Sequence, residues 1–348
     1  MADRVLESIE VEGFTSIRSA RVELKNLNVL VGANGAGKSN FVRVFELLGR
    51  IADQELGLFV GLNGGASALL DNQAHAPRIG LKLNIDIVEY AATLIPAAND
   101  ELIFGDEQVK GSGRVVPFGA GHRETHLHEP VARLLRRCRV FHFHDTGRTA
   151  PVKQMVPTAD NLELRNDAGN LAAVLYALEQ GQRTAYQRIV GAIKLVAPFF
   201  RGFVLQPEQG DRIRLRWRQN DSDAVFSAEQ MSDGTLRFIC LVTLLLHPEL
   251  PSLVVLDEPE LGLHPYAIVQ LADLLRQAAK RSQVLIATQS VTLMNQFDID
   301  DLIVVERAGG ASTFARPDQE KLREWLAEYS LGELWEKNLI GGRPGTSS

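Results

Sequence analysis

Three short apolar runs organise this chain: Leu27-Asn28-Val29-Leu30-Val31, Leu253-Val254-Val255-Leu256 and Val284-Leu285-Ile286-Ala287. Runs of this length without polar alternation predict strands covered on both faces, as in a parallel sheet. Elsewhere the period is two. Ile79-Gly80-Leu81-Lys82-Leu83-Asn84-Ile85 alternates, and so does Arg212-Ile213-Arg214-Leu215-Arg216-Trp217-Arg218, which predicts a strand with four arginines on one face. Val140-Phe141-His142-Phe143-His144 reads as a further strand, entered from a helix that carries Arg133, Arg136, Arg137 and Arg139. Helical stretches are predicted over Asn40 to Arg50, Thr235 to Leu246 and 265 to 281. A helix over Glu320 to Tyr329 would place Leu322, Trp325, Leu326 and Tyr329 on one docking face. Strands alternating with helices place the chain in the α/β class.

The run at Leu27 to Val31 leads into GANGAGKSN, which fits G-x-x-x-x-G-K-[ST] through Gly32, Gly37, Lys38 and Ser39 and precedes the helix from Asn40. Strand before and helix after are the context this phosphate-binding loop requires. Glycines at 32, 35 and 37 let the backbone curl so that amide hydrogens and the positive helix end enclose phosphates. Asn34, Gly35, Ala36, Gly37, Lys38, Ser39 and Asn40 are therefore the expected nucleotide-binding set. Lys38 would supply a cation to the terminal phosphates and Ser39 a hydroxyl to magnesium. The run at Leu253 to Leu256 ends in Asp257-Glu258, at the carboxyl end of a strand where ligands of open α/β sheets bind. Asp257 is expected in the magnesium shell. Glu258 is placed to polarise the attacking water, since phosphoryl transfer asks the protein mainly for positioning and charge stabilisation.

The opening SIEVEGFTSIRSARVELKNLNVLVGANGAGKSN resembles the first strands and P-loop of ATPases of the SMC/RecF branch of the ABC class. MSDGTLRF resembles their signature motif, and LDEPELGLHP their Walker B and D-loop. DNLELRNDAGNLAAVLYAL and SLGELWEKNLIGGRP are similar to a narrower group, the stand-alone bacterial ATPases of the AAA_21 type, related to OLD-type ATPases. The likeness covers nearly the whole chain and is least specific between Gly49 and Arg148.

This resemblance implies an ABC-type P-loop ATPase head, a mixed sheet flanked by helices with an inserted α+β lobe and no coiled-coil arm. It implies one head over 1–348, with the nucleotide-binding core in 1–50 and 230–310. The inserted lobe and signature-bearing helical region would fall in 51–229, and C-terminal helices and a tail in 311–348, frayed from Gly341. ATP with magnesium is the implied ligand pair, bound between two copies, so that Ser232 and Gly234 reach the γ-phosphate of the opposite protomer. Asp233 departs from the LSGGQ form of transporters, and Arg237 one turn on is the candidate offsetting cation. His264 is implied at the dimer interface. Members of the wider set are associated with DNA repair or phage defence, often beside a nuclease or toxin-like partner.

Gln289 is the informative departure. It ends the strand from Val284, where these families carry a switch histidine, and an amide hydrogen-bonds a phosphate but takes up no proton near neutral pH. Slow or gated hydrolysis follows, which keeps a nucleotide-sensing scaffold with little hydrolysis as one alternative; a transporter ATPase subunit is the other, on separate grounds. MSDGTLRF and the GFTSI turn disfavour the transporter.

Composition narrows the partners. With 45% hydrophobic and 23% charged residues in 348, the chain has an ordinary globular balance. It has no long apolar run and no charged-then-apolar opening, so neither membrane span nor secretory signal is expected. Two cysteines, Cys138 and Cys240, suit a reducing cytoplasm. A net charge of −6 restricts nucleic-acid contact to local patches, and each arginine cluster also reads as plain solvated surface. His142, His144 and Asp145, with His122, His126 and His128 upstream, lack a recognisable zinc spacing.

Overall fold

The computed structural model describes residues 6–71, 77–129, 131–208 and 210–342, and the chain divides into two compact units. The first comprises residues up to Val140, Pro251–Val255 and Ser282 onward; the second comprises Phe141–Leu250 and Leu256–Arg281. One boundary, at Val140, lies within 51–229, the stretch expected to hold the inserted lobe and the signature-bearing helical region.

The first unit holds two six-stranded sheets. One is an antiparallel meander in the order Ile17–Glu23, Leu6–Phe14, Ile79–Ile85, Val88–Pro96, Leu102–Gly111, Arg114–Gly119. The other has the order Ala311–Ala315, Leu302–Ala308, Leu27–Val31, Gln283–Thr288, Leu253–Asp257, Cys138–Phe141. Leu27–Val31 pairs in parallel with both of its neighbours. All five of its residues are buried, as a strand covered on both faces must be.

The helix Lys38–Ala52 follows the P-loop and buries Phe41, Val42, Val44, Phe45, Leu47, Leu48 and Ile51. Too much of its circumference is apolar for a surface helix. It sits in one continuous core with Ile9, Val11, Leu81 and Leu83 of the meander and Leu30, Val255, Leu285 and Ile303 of the second sheet. Phe41 and Phe45 meet edge to face at 5.5 Å between ring centres. Each such buried side chain contributes roughly 2–3 kcal/mol by removal from water, so this helix, and the loop at its start, is held from two sides.

Gln283 ties the two sheets. Its amide accepts from the Leu6 N–H (2.8 Å) and donates to the Leu6 carbonyl (2.8 Å), an imitation of a strand neighbour inside the core.

The second unit is mainly helical: Leu171–Gly181, Arg183–Val196, Asp233–Leu246 and Pro265–Ala278. A three-stranded sheet of Phe200–Phe203, Arg216–Gln219 and Phe226–Ser227 closes one side of it, packed around Phe200, Trp217 and Phe226.

Several expected elements change shape. The arginine strand is two: Arg212–Ile213 pairs with Val156–Pro157, while Arg216–Gln219 pairs with the Phe200 and Phe226 strands. The alternation itself holds, with Ile213, Leu215 and Trp217 buried. The strand from Val140 stops at Phe141, because the next amide, His142 N–H, donates to the Asn166 carbonyl. His142 and His144 therefore lie beyond the strand. On the C-terminal helix Gln319–Leu326, Leu322 is buried but Trp325 is 44% exposed, so the expected docking face is incomplete; the side chain of Leu326 lies outside the described part. Gly341 and Gly342 are packed rather than frayed, and 343–348 lie outside the described residues. The longest helix among the described residues has 15 residues, and none is long and apolar enough to cross a membrane.

Candidate functional site

The P-loop is built against a hydrogen-bonded rail that the motif does not reveal. Asn40 Nδ2 donates to Ser16 Oγ (2.7 Å), Ser16 Oγ donates to Ser312 Oγ (2.7 Å), and Ser312 Oγ donates to the Ala36 carbonyl (2.6 Å). Gly37 has φ +115, and a Cβ there would stand 2.0 Å from Ser312 Oγ. Glycine at 37 is thus demanded both by conformation and by the closeness of the rail. Gly35 has φ +75 with open space around it, and its carbonyl accepts from Arg307 (3.3 Å). Gly32 presses on the Val305 carbonyl, where a Cβ would come within 2.3 Å.

Lys38 is buried and folded inward, its Nζ donating to the carbonyls of Gly32 (2.7 Å) and Ala33 (3.1 Å). Asn34, Gly35 and Ser39 are exposed. The helix that starts at Lys38 has no side-chain cap, since its N-cap is Gly37. Its first amides, a buried ammonium and a left-handed glycine turn make a concentrated positive end. That arrangement fits a polyphosphate.

Asp257 ends its strand and Glu258 begins the turn that follows. Glu258 has φ +44, uncommon for a residue with a side chain and a conformation that concentrates at functional turns. Asp257 and Glu258 line a small cleft with Phe141, Phe143, His144 and Arg237. The signature helix Asp233–Leu246 starts beside the D-loop: a Cβ on Gly234 would stand 2.4 Å from the Gly262 carbonyl. Ser232 caps the helix through Oγ, which accepts from the Thr235 N–H (3.3 Å). The Arg237 guanidinium donates to the carbonyls of Leu261 (2.9 Å) and His144 (2.8 Å). It is a bracket for the D-loop, bound to these carbonyls rather than offsetting Asp233, the role expected of it.

The family comparisons agree with this geometry. Residues 139–295 match the model AAA_21, "AAA domain, putative AbiEii toxin, Type IV TA system", and residues 5–77 match AAA_15, "AAA ATPase domain". Among solved structures, an Smc head bound to the C-winged helix domain of ScpA shares 15% identity and a TM-score of 0.58, covering 92% of this chain and 99% of that one. An Smc head domain with an extended coiled coil, bound to the C-terminal domain of ScpA and derived from Pyrococcus furiosus, shares 15% identity and a TM-score of 0.61 over 93% and 99%. The fold is that of an SMC-like, ABC-type P-loop ATPase head. No curated protein matches the chain.

In this SMC-like head, Gln289 follows the strand Gln283–Thr288 and lines a narrow cleft with Gly32, Ser290, Met294 and Trp335. The expected switch residue and the P-loop are thus brought together. Ser290 caps the short helix Val291–Met294, which fixes the turn at 289. His264, expected at a dimer interface, caps the helix Pro265–Ala278 with Nδ1, and the adjacent Leu261 and Tyr266 are about half exposed.

The other candidates of the head are spent locally. Glu208 pairs with Arg214 (3.2 Å) and approaches Arg216 (3.8 Å), while Arg212 donates to the Met155 carbonyl. The arginine stripe is therefore partly neutralised within the fold. His122 stacks between Phe104 (4.6 Å) and His126 (4.2 Å) beside buried Glu107, which accepts from Tyr90, Thr125 and the His126 amide. Burial, then the Glu107 charge, pushes the Tyr90 phenol well up. Among the described residues no group of three or more His, Cys, Asp or Glu is placed to hold a metal ion. Burial pushes both the Cys138 and Cys240 thiols up to about 12, so neither is a nucleophile near neutral pH. Ser16, Ser312 and Trp335 lie outside the set expected from sequence. Ser16 lay in plain view in the GFTSI turn, but its partner Ser312 is 296 residues away.

Proposed function

We propose that this chain binds ATP with magnesium and hydrolyses it, closing on a second copy when ATP is bound and reopening after cleavage. The observation that carries the reading is the P-loop: Lys38 held at 2.7 Å from the Gly32 carbonyl below an uncapped helix N-terminus, with Gly35 and Gly37 in left-handed turns. The Lys38 ammonium and the amides from Asn34 to Asn40 neutralise and orient the β- and γ-phosphates. Ser39 and Asp257 would hold magnesium, which would supply positive charge to offset that of the phosphates. Glu258 orients a water whose oxygen attacks the γ-phosphorus as the bond to the β–γ bridging oxygen breaks, giving ADP and phosphate. Gln289 donates its amide hydrogen to the γ-phosphate. Ser232 and Gly234 complete the site of the opposite protomer, where the helix from Asp233 presents its positive end.

Lys38→Ala should abolish ATP binding measured by isothermal titration, because the phosphates lose their main cation. Unchanged affinity in that variant would remove the assignment.

The family model naming a toxin and a type IV toxin–antitoxin system supports a role in phage defence beside a nuclease or toxin-like effector, over DNA or RNA maintenance. Cytoplasmic residence and local nucleic-acid contact belong to the same proposal. Co-purification with the products of neighbouring genes tests it, and a membrane permease there would turn the reading to transport.

A further inference from the structure

The C-terminal segment is fastened to the P-loop. The Ala33 N–H donates to the Gly342 carbonyl (2.7 Å), and the Gly342 N–H donates to Glu306 Oε1 (2.8 Å). There is no slack at this join. Gly341 and Gly342 both have φ near +80; a Cβ on Gly341 would come 2.7 Å from Glu306 Oε1, and one on Gly342 3.2 Å from Trp335 Nε1 and 3.4 Å from the Gly32 Cα. The same segment grips the turn at Gln289. The helix Leu331–Glu336 packs on Val291–Met294 so closely that a Cβ on Gly332 would be 2.3 Å from Val291 Cγ1, and the Gly332 N–H donates to Asn295 Oδ1 (2.6 Å). Between the two grips, Trp335 walls the cleft of Gly32, Gln289 and Ser290, its indole N–H buried and without a hydrogen-bond partner among the described residues.

The peptide units concerned are those that hold Lys38. Lys38 takes the Gly32 and Ala33 carbonyls from one side, and Gly342 takes the Ala33 amide from the other. We propose that the segment Leu331–Gly342 is a clip on the nucleotide site, with Gly342, Glu306 and Trp335 as positioning residues that set the Gly32–Ala33 peptide and the Gln289 turn. The inference rests on the ATP reading of the P-loop. Lifting the clip tilts both carbonyls away from Lys38, and whatever binds the C-terminal segment acquires a lever on ATP affinity.

The test compares Glu306→Ala, Glu306→Gln and Gly342→Val with the wild-type chain. Glu306 is exposed, so its variants leave the core intact, and glutamine keeps the Oε1 acceptor that alanine removes. Magnesium-ATP affinity by titration, KM and kcat, and amide hydrogen exchange over residues 31–37 are measured at matched thermal midpoints. Glu306→Ala and Gly342→Val should raise Kd and KM at least about fivefold, the scale of losing one hydrogen bond. They should also speed exchange at the P-loop, and Glu306→Gln should restore both. Equal affinity and equal exchange in all three variants, with a wild type that binds ATP, overturns the clip and leaves the ATP reading standing. A wild type that binds no ATP, whatever the exchange in the variants, overturns the ATP reading and, with it, the proposed lever. A lone-tryptophan chain, with Trp217 and Trp325 changed to Phe, gives an independent readout: Trp335 emission should shift on adding ATP, and an unmoved spectrum counts against the clip.

Discussion

Glu258 is the residue where conformation and chemistry pull apart. A side chain held at φ +44 costs about 1–2 kcal/mol relative to an ordinary backbone well. Glycine would shed that strain, offset by about 0.5–1 kcal/mol of its own unfolded-state entropy. Glu258→Gly should therefore be as stable as the wild type or gain up to about 1.5 kcal/mol in chemical denaturation while losing turnover. Glu258→Gln keeps the strain and the shape, and should bind ATP, lose turnover and trap a dimer on size exclusion. Wild-type turnover in either variant would remove Glu258 from the chemistry. Gln289 tests the same reaction from the γ-phosphate. If its amide is a weaker partner than histidine as charge shifts, Gln289→His raises kcat with little change in affinity and Gln289→Ala lowers it. Turnover untouched by alanine would mean that the side chain takes no part. Both residues were legible because each sits one step past an apolar strand. The left-handed turn at 258 was not, since glutamate carries no signal for positive φ.

At the scale of elements, the local period was legible and the partner was not. The buried strands at Leu27, Leu253 and Gln283 follow from short, mainly apolar runs, whose ends needed only local sequence. The arginine strand and the strand at Val140 were read too long because each ends where a hydrogen bond goes elsewhere, as His142 N–H goes to Asn166. Gln283 makes the same point in reverse: polar and at a strand start, it looks like a surface residue, yet it is 4% exposed and pairs with both backbone groups of Leu6. Gln283→Ala leaves a buried N–H and a buried carbonyl unsatisfied, which costs about 2–4 kcal/mol. Urea denaturation should show that loss with an unchanged m-value. A loss under about 0.5 kcal/mol would mean that water or a local shift satisfies Leu6 instead.

Over the whole molecule, each compact unit encloses one thiol, Cys138 in the first and Cys240 in the second. Composition alone placed them as unpaired cysteines; only packing shows what they do to stability. Each is raised from 9.0 to about 12 because burial penalises the thiolate. The folded chain then holds two protons that the unfolded chain releases above about pH 9. The unfolded state binds fewer protons in that window, so stability falls as pH rises from about 9 toward 12 and is fully present below 9. By pH 10 each thiol accounts for about 1.4 kcal/mol of lost stability, one unit past the unfolded value. Tyr90, also raised, adds to the decline above its ordinary value of 10.0. Thermal midpoints should stay level from pH 7 to 8.5 and drop steeply through pH 10. Replacing both cysteines with alanine lowers the plateau through lost packing but flattens the slope between pH 9 and 10, where Tyr90 contributes least. An identical slope in the double variant would mean that the thiols open to solvent before the fold does, a result that iodoacetamide labelling at pH 9 would then show directly.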